Sequence, residues 1–349
     1  MVFVERRRKG LCLTTSAYVS AVPFGQCPKP RAAALKALTA GPFLATGGIP
    51  VGELIDGKRI ADDVRTELKP RLARLSAAGV VPGLAAVLVG EDPASQLYVK
   101  MKGKASEEMG MAHWTTDFPE DVSAARLFQE IARLNADPKV HGILVQQPLP
   151  AHISVEKAVS AVSPRKDVDC FHPENVGLVL IGRPRFAPAT PSGVVELLMR
   201  SGNDPSGQDV VIVGRSNIVG KPLAALLMQK APKANATVTI AHSATRDLAA
   251  HTRRAEVLIA AMGSPRFIKA DMVRPGVVVI DVGINRIPDP TTRSGYRTVG
   301  DVDFDGVQIK AKAISPVPGG VGPMTIAMLL SNTVLAAEQA ATPGPSSLS

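Results

Sequence analysis

Ile60, Val64, Leu68, Leu72 and Leu75 recur at helical spacing and stop at Gly79, which predicts an amphipathic helix with Pro70 as a potential kink. The unbroken apolar run at residues 84–89 predicts a buried strand ending in Gly90-Glu91-Asp92-Pro93. A second helix is predicted over residues 94–110, and on it Tyr98 and Lys102 stand four apart and share a face. The rhythm repeats with a helix at 124–135, a strand at 141–146 running into Gln147-Pro148-Leu149-Pro150, and a short helix at 155–162 before Lys166-Asp167-Val168-Asp169. Polar residues therefore collect where strands end, which is where open parallel α/β sheets bind ligands.

Pro188-Ala189-Thr190-Pro191-Ser192-Gly193 interrupts the pattern, and a helix at 194–199 is predicted after it as a bridge between two domains. Residues 210–213 then read as a strand. Gly214 and Gly220 bracket the turn from it into an apolar helix at 223–228, the opening of a nucleotide-binding βα unit. The spacing departs from G-x-G-x-x-G, so the turn by itself fits a phosphate seat or a purely structural turn. The next strand, 237–242, ends in His242-Ser243-Ala244-Thr245-Arg246 and carries no carboxylate for a ribose 2′-hydroxyl. With Ser243, Arg215 and Arg246 available, the site suits a 2′-phosphate and hence NADP. Two further strands are predicted at 257–261 and 277–282, the latter running into Gly283-Ile284-Asn285. A Pro- and Gly-rich loop at 314–323 then leads to an apolar helix at 324–337. This alternation predicts an α/β class.

A length of 349 residues with 45% hydrophobic content supports two domains with sizeable cores. No continuous apolar run reaches the roughly 18–20 residues of a membrane span, so no membrane partner is expected. The formal charge of +9 is concentrated: residues 1–50 hold seven Lys or Arg against Glu5 alone, a net of +6 that leaves +3 for the remainder. With 4% aromatic content, a nucleic-acid partner is not expected either. Cys12, Cys27 and Cys170 have neither metal-ligand spacing nor a disulfide-scaffold count, which predicts no metal and a reducing compartment. Residues 1–50 read as a disordered extension, either a start site placed too early or a transit segment. The corresponding expectation is a cytoplasmic protein, or one of the mitochondrial matrix or plastid if the segment targets it. The tail after Thr342 is also expected to be disordered.

Six motifs in order then agree: Tyr98-Val99-Lys100-Met101-Lys102, Gly142-Ile143-Leu144-Val145-Gln146, Lys166-Asp167-Val168-Asp169, Gly214-Arg215-Ser216, Gly300-Asp301-Val302-Asp303 and the run from Pro316 to Thr325. Over roughly residues 52–340 the chain resembles the bifunctional methylenetetrahydrofolate dehydrogenase and methenyltetrahydrofolate cyclohydrolase family. The resemblance implies a folate-binding catalytic domain at 51–190, a Rossmann-type NADP domain at 191–320, and a C-terminal helix at 321–341 packing back on the first domain. It implies a homodimer, a place in purine biosynthesis, and two reactions: oxidation of 5,10-methylenetetrahydrofolate by NADP⁺, then hydrolysis of the methenyl product to 10-formyltetrahydrofolate.

Matching positions imply Lys102, Tyr98, Gln146 and Asp169 as catalytic residues. Val145, Pro148, Pro318, Gly319 and Gly320 join them around the folate, and Thr190, Gly214, Arg215, Ser216, Ser243 and Ile284 around NADP. A free lysine titrates near 10.4, so Lys102 acting as a base near neutrality needs a shift of roughly 3 units, which burial beside a cationic substrate can supply. Gln146 can hold the Lys102 amine, the Tyr98 hydroxyl can bond it, and Asp169 suits the amino-pyrimidine edge of the pterin. Cys170 stands where the family has glycine, and Ala189 where many members have cysteine. Cys170 is expected to narrow the pocket or to force a different backbone angle, since glycine tolerates positive φ and cysteine does not. That leaves a monofunctional dehydrogenase as the nearest rival, with a non-catalytic folate- or nucleotide-binding protein as the rival from another class.

Overall fold

The computed structural model describes residues 52–292 and 295–342, so the expectations for residues 1–50 and for the tail after Thr342 lie outside the described residues. The chain opens with β1 (Glu53–Leu54), α1 (Gly57–Ala77), β2 (Gly83–Val89), α2 (Pro93–Glu108), β3 (Ala112–Phe118), α3 (Ala124–Ala136), β4 (Gly142–Val145), α4 (Val155–Ala161) and α5 (Pro173–Leu180). β2, β3 and β4 form a three-stranded parallel sheet in the order β3-β2-β4. α1 runs through Pro70 without a break, so the pyrrolidine does not end it. β3 went unread in the sequence because Ala-His-Trp-Thr-Thr-Asp-Phe has no apolar run: it is an edge strand and only partly covered.

The second half holds α6 (Ala189–Arg200), β5 (Asp209–Val213), α7 (Gly220–Leu227), β6 (Thr237–Ala241), α8 (Leu248–Arg254), β7 (Val257–Ala260), β8 (Val278–Asp281), β9 (Asn285–Pro288), β10 (Tyr296–Val299), α9 (Phe304–Gln308), β11 (Ala313–Ile314) and α10 (Val321–Ala341). Its parallel six-stranded sheet has the order β1-β11-β8-β7-β5-β6. The first strand of the chain thus joins the larger sheet, although the sequence placed it with the smaller one. The doubly wound order reverses between β5 and β7, and that reversal opens the crevice for a dinucleotide. Apolar side chains cover both faces, with Val210, Ile212, Val257 and Ile259 on one and Val211, Val213, Leu258 and Ala260 on the other.

α6 begins at Ala189, inside the segment expected to be irregular. The correction has a simple cause: first-turn amides have no acceptor within a helix, so Pro191 there sacrifices no hydrogen bond. α10 corrects a second expectation. It is long and apolar enough to cross a membrane by length and composition, yet 61% of that stretch is buried within the protein. It packs against α1, α6, α2, β2 and β4, so it is apolar nearly all round. Leu329 and Leu330 are fully buried there, worth about 1.5–3 kcal/mol each. Asn332, also buried, donates to the carbonyls of Val168 at 2.7 Å and Ala187 at 2.8 Å, tying α10 to the turn that carries Asp169.

Candidate active site

α2 is set by its N-cap: Asp92 accepts the Ser95 amide at 2.7 Å, and Pro93 starts the first turn. From this helix Lys102 points inward, 6% exposed, and its Nζ donates to Gln146 Oε1 at 3.4 Å. Gln146 follows β4 directly and donates its Nε2 to the carbonyl of Gln147 at 2.7 Å, so its amide oxygen is the end facing the lysine. The Gln147–Pro148 peptide is cis.

Asp169 completes the group and is buried. Its turn is held by Asp167, which accepts the amides of Phe171 at 3.1 Å and His172 at 2.8 Å and the Asn175 side chain at 2.8 Å. Burial holds Lys102 below the usual lysine range, while the charge of Asp169 acts in the opposite direction. Burial pushes Asp169 up, the charge of Lys102 draws it down, and Asp167 pushes it up. Burial thus disfavours the charged form of both groups, while each is the other's opposing charge.

Two expectations about this pocket are corrected. Among the described residues no hydrogen bond joins the Tyr98 hydroxyl to Lys102. Burial pushes the Tyr98 phenol up, and the charge felt there is that of Arg286 on β9. Cys170 does not force a new backbone angle: it adopts φ 62°, the left-handed region, with its side chain buried in the core among Val168, Val179 and Phe186. Its Sγ donates to the Phe186 carbonyl at 3.2 Å. The left-handed angle costs a β-carbon roughly 1–2 kcal/mol, which burial of the side chain offsets.

On the nucleotide side, Gly214 leaves β5 at φ 134°, and a Cβ there would lie 2.1 Å from the Ala261 carbonyl oxygen. Only glycine keeps the turn this close to its neighbour strand. Ser216 accepts the amides of Val219 at 3.1 Å and Gly220 at 3.5 Å, so it caps the start of α7. The amides that the sequence reading offered to phosphate are thus partly occupied from within. The exposed Arg215 lies with Nη1 3.5 Å from His242 Nε2, next to the exposed Ser243. A guanidinium, an imidazole and a hydroxyl at the ends of β5 and β6, with no carboxylate among them, fit a 2′-phosphate.

Residues 55–169 match the tetrahydrofolate dehydrogenase/cyclohydrolase catalytic domain, and residues 188–341 match the NAD(P)-binding domain of the same enzymes. The chain belongs to the tetrahydrofolate dehydrogenase/cyclohydrolase family. A bifunctional protein FolD from Chlorobium phaeobacteroides is 56% identical over 285 residues, 81% of this chain and 97% of the relative. The bifunctional FolD methylenetetrahydrofolate dehydrogenase/cyclohydrolase of Campylobacter jejuni has a solved structure with a TM-score of 0.77 at 47% identity, covering 82% of this chain and 98% of that one. That of Trypanosoma brucei FolD, complexed with NADP cofactor and inhibitor, gives a TM-score of 0.79 at 40% identity, over 83% and 98%.

In this member of the family, Lys102, Gln146 and Asp169 come together, with Val145 ending β4 just before Gln146. The segment of Pro318, Gly319 and Gly320 lies against the start of α1: the Gly319 carbonyl accepts the Lys58 amide at 3.1 Å, and a Cβ on Gly57 would meet the Gly320 oxygen at 1.9 Å. Thr190 Oγ1 pairs with Thr325 Oγ1 at 3.0 Å, joining α6 to α10. Ile284 stands exposed after β8. Sequence reasoning gave no role to His242 or Asn332. It passed over the buried Asp281 and quoted the buried Asp301 only within a motif, without a role; burial pushes Asp281 up to about 6, opposed by backbone amides.

Proposed function

We propose that the protein oxidises 5,10-methylenetetrahydrofolate to the methenyl cation and hydrolyses that cation to 10-formyltetrahydrofolate. The observation that carries this reading is the buried Lys102 amine hydrogen-bonded to Gln146 beside Asp169, in a chain of this family. NADP⁺, when bound, accepts the hydride lost by the methylene carbon. Arg215 and Ser243 would hold its 2′-phosphate, and Gly214 keeps the β5–α7 turn close to the Ala261 carbonyl that follows β7.

In the hydrolytic half, neutral Lys102 takes a proton from the water that adds to the methenyl carbon, and Gln146 Oε1 keeps the amine aimed at that water. The C–N5 bond of the adduct then breaks as N5 takes the proton from Lys102 and the carbinol O–H loses its proton to solvent, which leaves the formyl group on N10. Asp169 receives the amino-pyrimidine edge of the pterin, and Tyr98 lies along its ring. Cys170 takes no part, because its side chain is in the core. The test is spectroscopic: purified protein with methylenetetrahydrofolate and NADP⁺ should form NADPH, and it should consume added methenyltetrahydrofolate without cofactor. Failure of both would sink the reading.

The pH dependence follows from burial. Hydrolysis requires the neutral amine, so kcat should rise with pH along a limb placed below the usual lysine value of 10.5. Asp169 holds the proton on Lys102, so Asp169→Asn should move that limb to lower pH. A limb that stays or moves to higher pH in the variant would contradict the pairing. We also place the enzyme upstream of formyl transfer in purine biosynthesis, without nucleic-acid or membrane partners. A homodimer is supported by the open edge of β3 with Trp114 40% exposed, and sedimentation velocity is the check.

A further inference from the structure

Gly300-Asp301-Val302-Asp303 has no part in either reaction as derived above, yet it lies at the centre of a buried network. Asp301 is fully buried, and its Oδ2 accepts the amides of Met262 at 2.7 Å and Gly263 at 3.0 Å. Its Oδ1 accepts the Ser264 amide at 2.9 Å and the Asn285 Nδ2 at 2.8 Å. These donors sit on the loop leaving β7 and on the first residue of β9, just past β8. Asp281, at the end of β8, supports Asp301 in turn. Its Oδ1 accepts the amides of Gly283 and Asp301, both at 2.9 Å, and its Oδ2 accepts the Val302 amide at 2.9 Å.

The two segments interlock through their glycines. A Cβ on Gly300 would lie 1.8 Å from Asp281 Oδ2, and a Cβ on Gly283 would lie 2.3 Å from the Asp301 carboxyl. Each glycine therefore makes room for the other segment's carboxylate, at distances no side chain could share. The named donors to both carboxylates are backbone amides and one carboxamide, all neutral and fixed in direction, so the carboxylates lock loop geometry without an ion pair.

The position of these donors gives the network its meaning. The sheet order reverses between β5 and β7, and a dinucleotide lies across that reversal with one mononucleotide on each side. With the 2′-phosphate at Arg215 and Ser243, over β5 and β6, the other half lies over the ends of β7 and β8. We infer that Asp301 is the positioning residue for the nicotinamide half of the NADP site, with Asp281 holding Asp301 in place. The inference rests on the NADP-dependent reading above. Asp301 touches neither substrate nor cofactor and acts through the Met262–Ser264 loop and Asn285.

The protein carries its own control, since methenyl hydrolysis requires no NADP. In the Asp301→Asn variant one oxygen becomes a donor facing amides that also donate. The KM for NADP⁺ should rise about 10-fold or more, with hydrolysis of added methenyltetrahydrofolate within about twofold of the parent. Asn285→Ala removes a single donor from the same carboxylate and should raise the same KM about threefold or more with no loss of hydrolysis. An unchanged KM for NADP⁺ in folded Asp301→Asn, or in Asn285→Ala if Asp301→Asn does not fold, would overturn the inference. So would an equal fall in both activities, which marks a merely structural role. A parent protein that forms no NADPH would instead refute the dehydrogenase reading, so the two failures are distinguishable.

Discussion

Replacing Lys102 with methionine is expected to cut methenyltetrahydrofolate hydrolysis by about 10³-fold, within the range general acid–base groups contribute. Methionine matches the length of the lysine stem, so the buried site stays filled and the loss reports the amine itself. NADPH formation should persist at a reduced level. Hydride transfer needs no proton from Lys102, but Asp169 loses the positive neighbour that draws its pKa down. Its carboxyl then holds a proton more firmly, which weakens its grip on the pterin edge and raises the KM for folate. Absorbance of the methenyl chromophore follows one reaction and NADPH absorbance the other. Hydrolysis at the parental rate in the methionine variant would remove Lys102 from the mechanism.

Replacing Arg215 with alanine is expected to lower kcat/KM for NADP⁺ by about 10–100-fold and to leave that for NAD⁺ nearly unchanged. A hydrogen bond to a charged group contributes about 1.5–3 kcal/mol, and each 1.4 kcal/mol is tenfold. Arg215 is exposed beside His242, so its removal leaves no buried group unpaired and the fold should be untouched. Methenyl hydrolysis in the same preparation should match the parent. Equal losses for NADP⁺ and NAD⁺ would show that Arg215 serves the turn and not the 2′-phosphate.

The strands with continuous apolar runs were legible because burial on both faces demands such runs: Val210–Val213 and Val257–Ala260 are covered on both sides of the large sheet. β1 and β11 were not, since two residues carry no period. The β9–β10 hairpin was missed because its residues are largely exposed and alternate weakly. At the site, the four-residue step from Tyr98 to Lys102 could be read from helix geometry, and the convergence of Lys102, Gln146 and Asp169 from their places near strand ends, while their separate roles came from the family resemblance. Asp301 was invisible as a positioning residue because three of its four donors are backbone amides 37 to 39 positions away, and backbone donors leave no mark on side-chain pattern.

The bond from Asn332 to the Val168 carbonyl spans 164 positions of sequence. During synthesis the Asp169 turn leaves the ribosome long before α10, so the nascent chain carries Tyr98, Lys102, Gln146 and Asp169 with the turn held only by its local bonds to Asp167. Activity is thus tied to the arrival of the last helix, and a message truncated ahead of residue 321 encodes all of the proposed catalytic side chains but no clamp for the carbonyl next to Asp169.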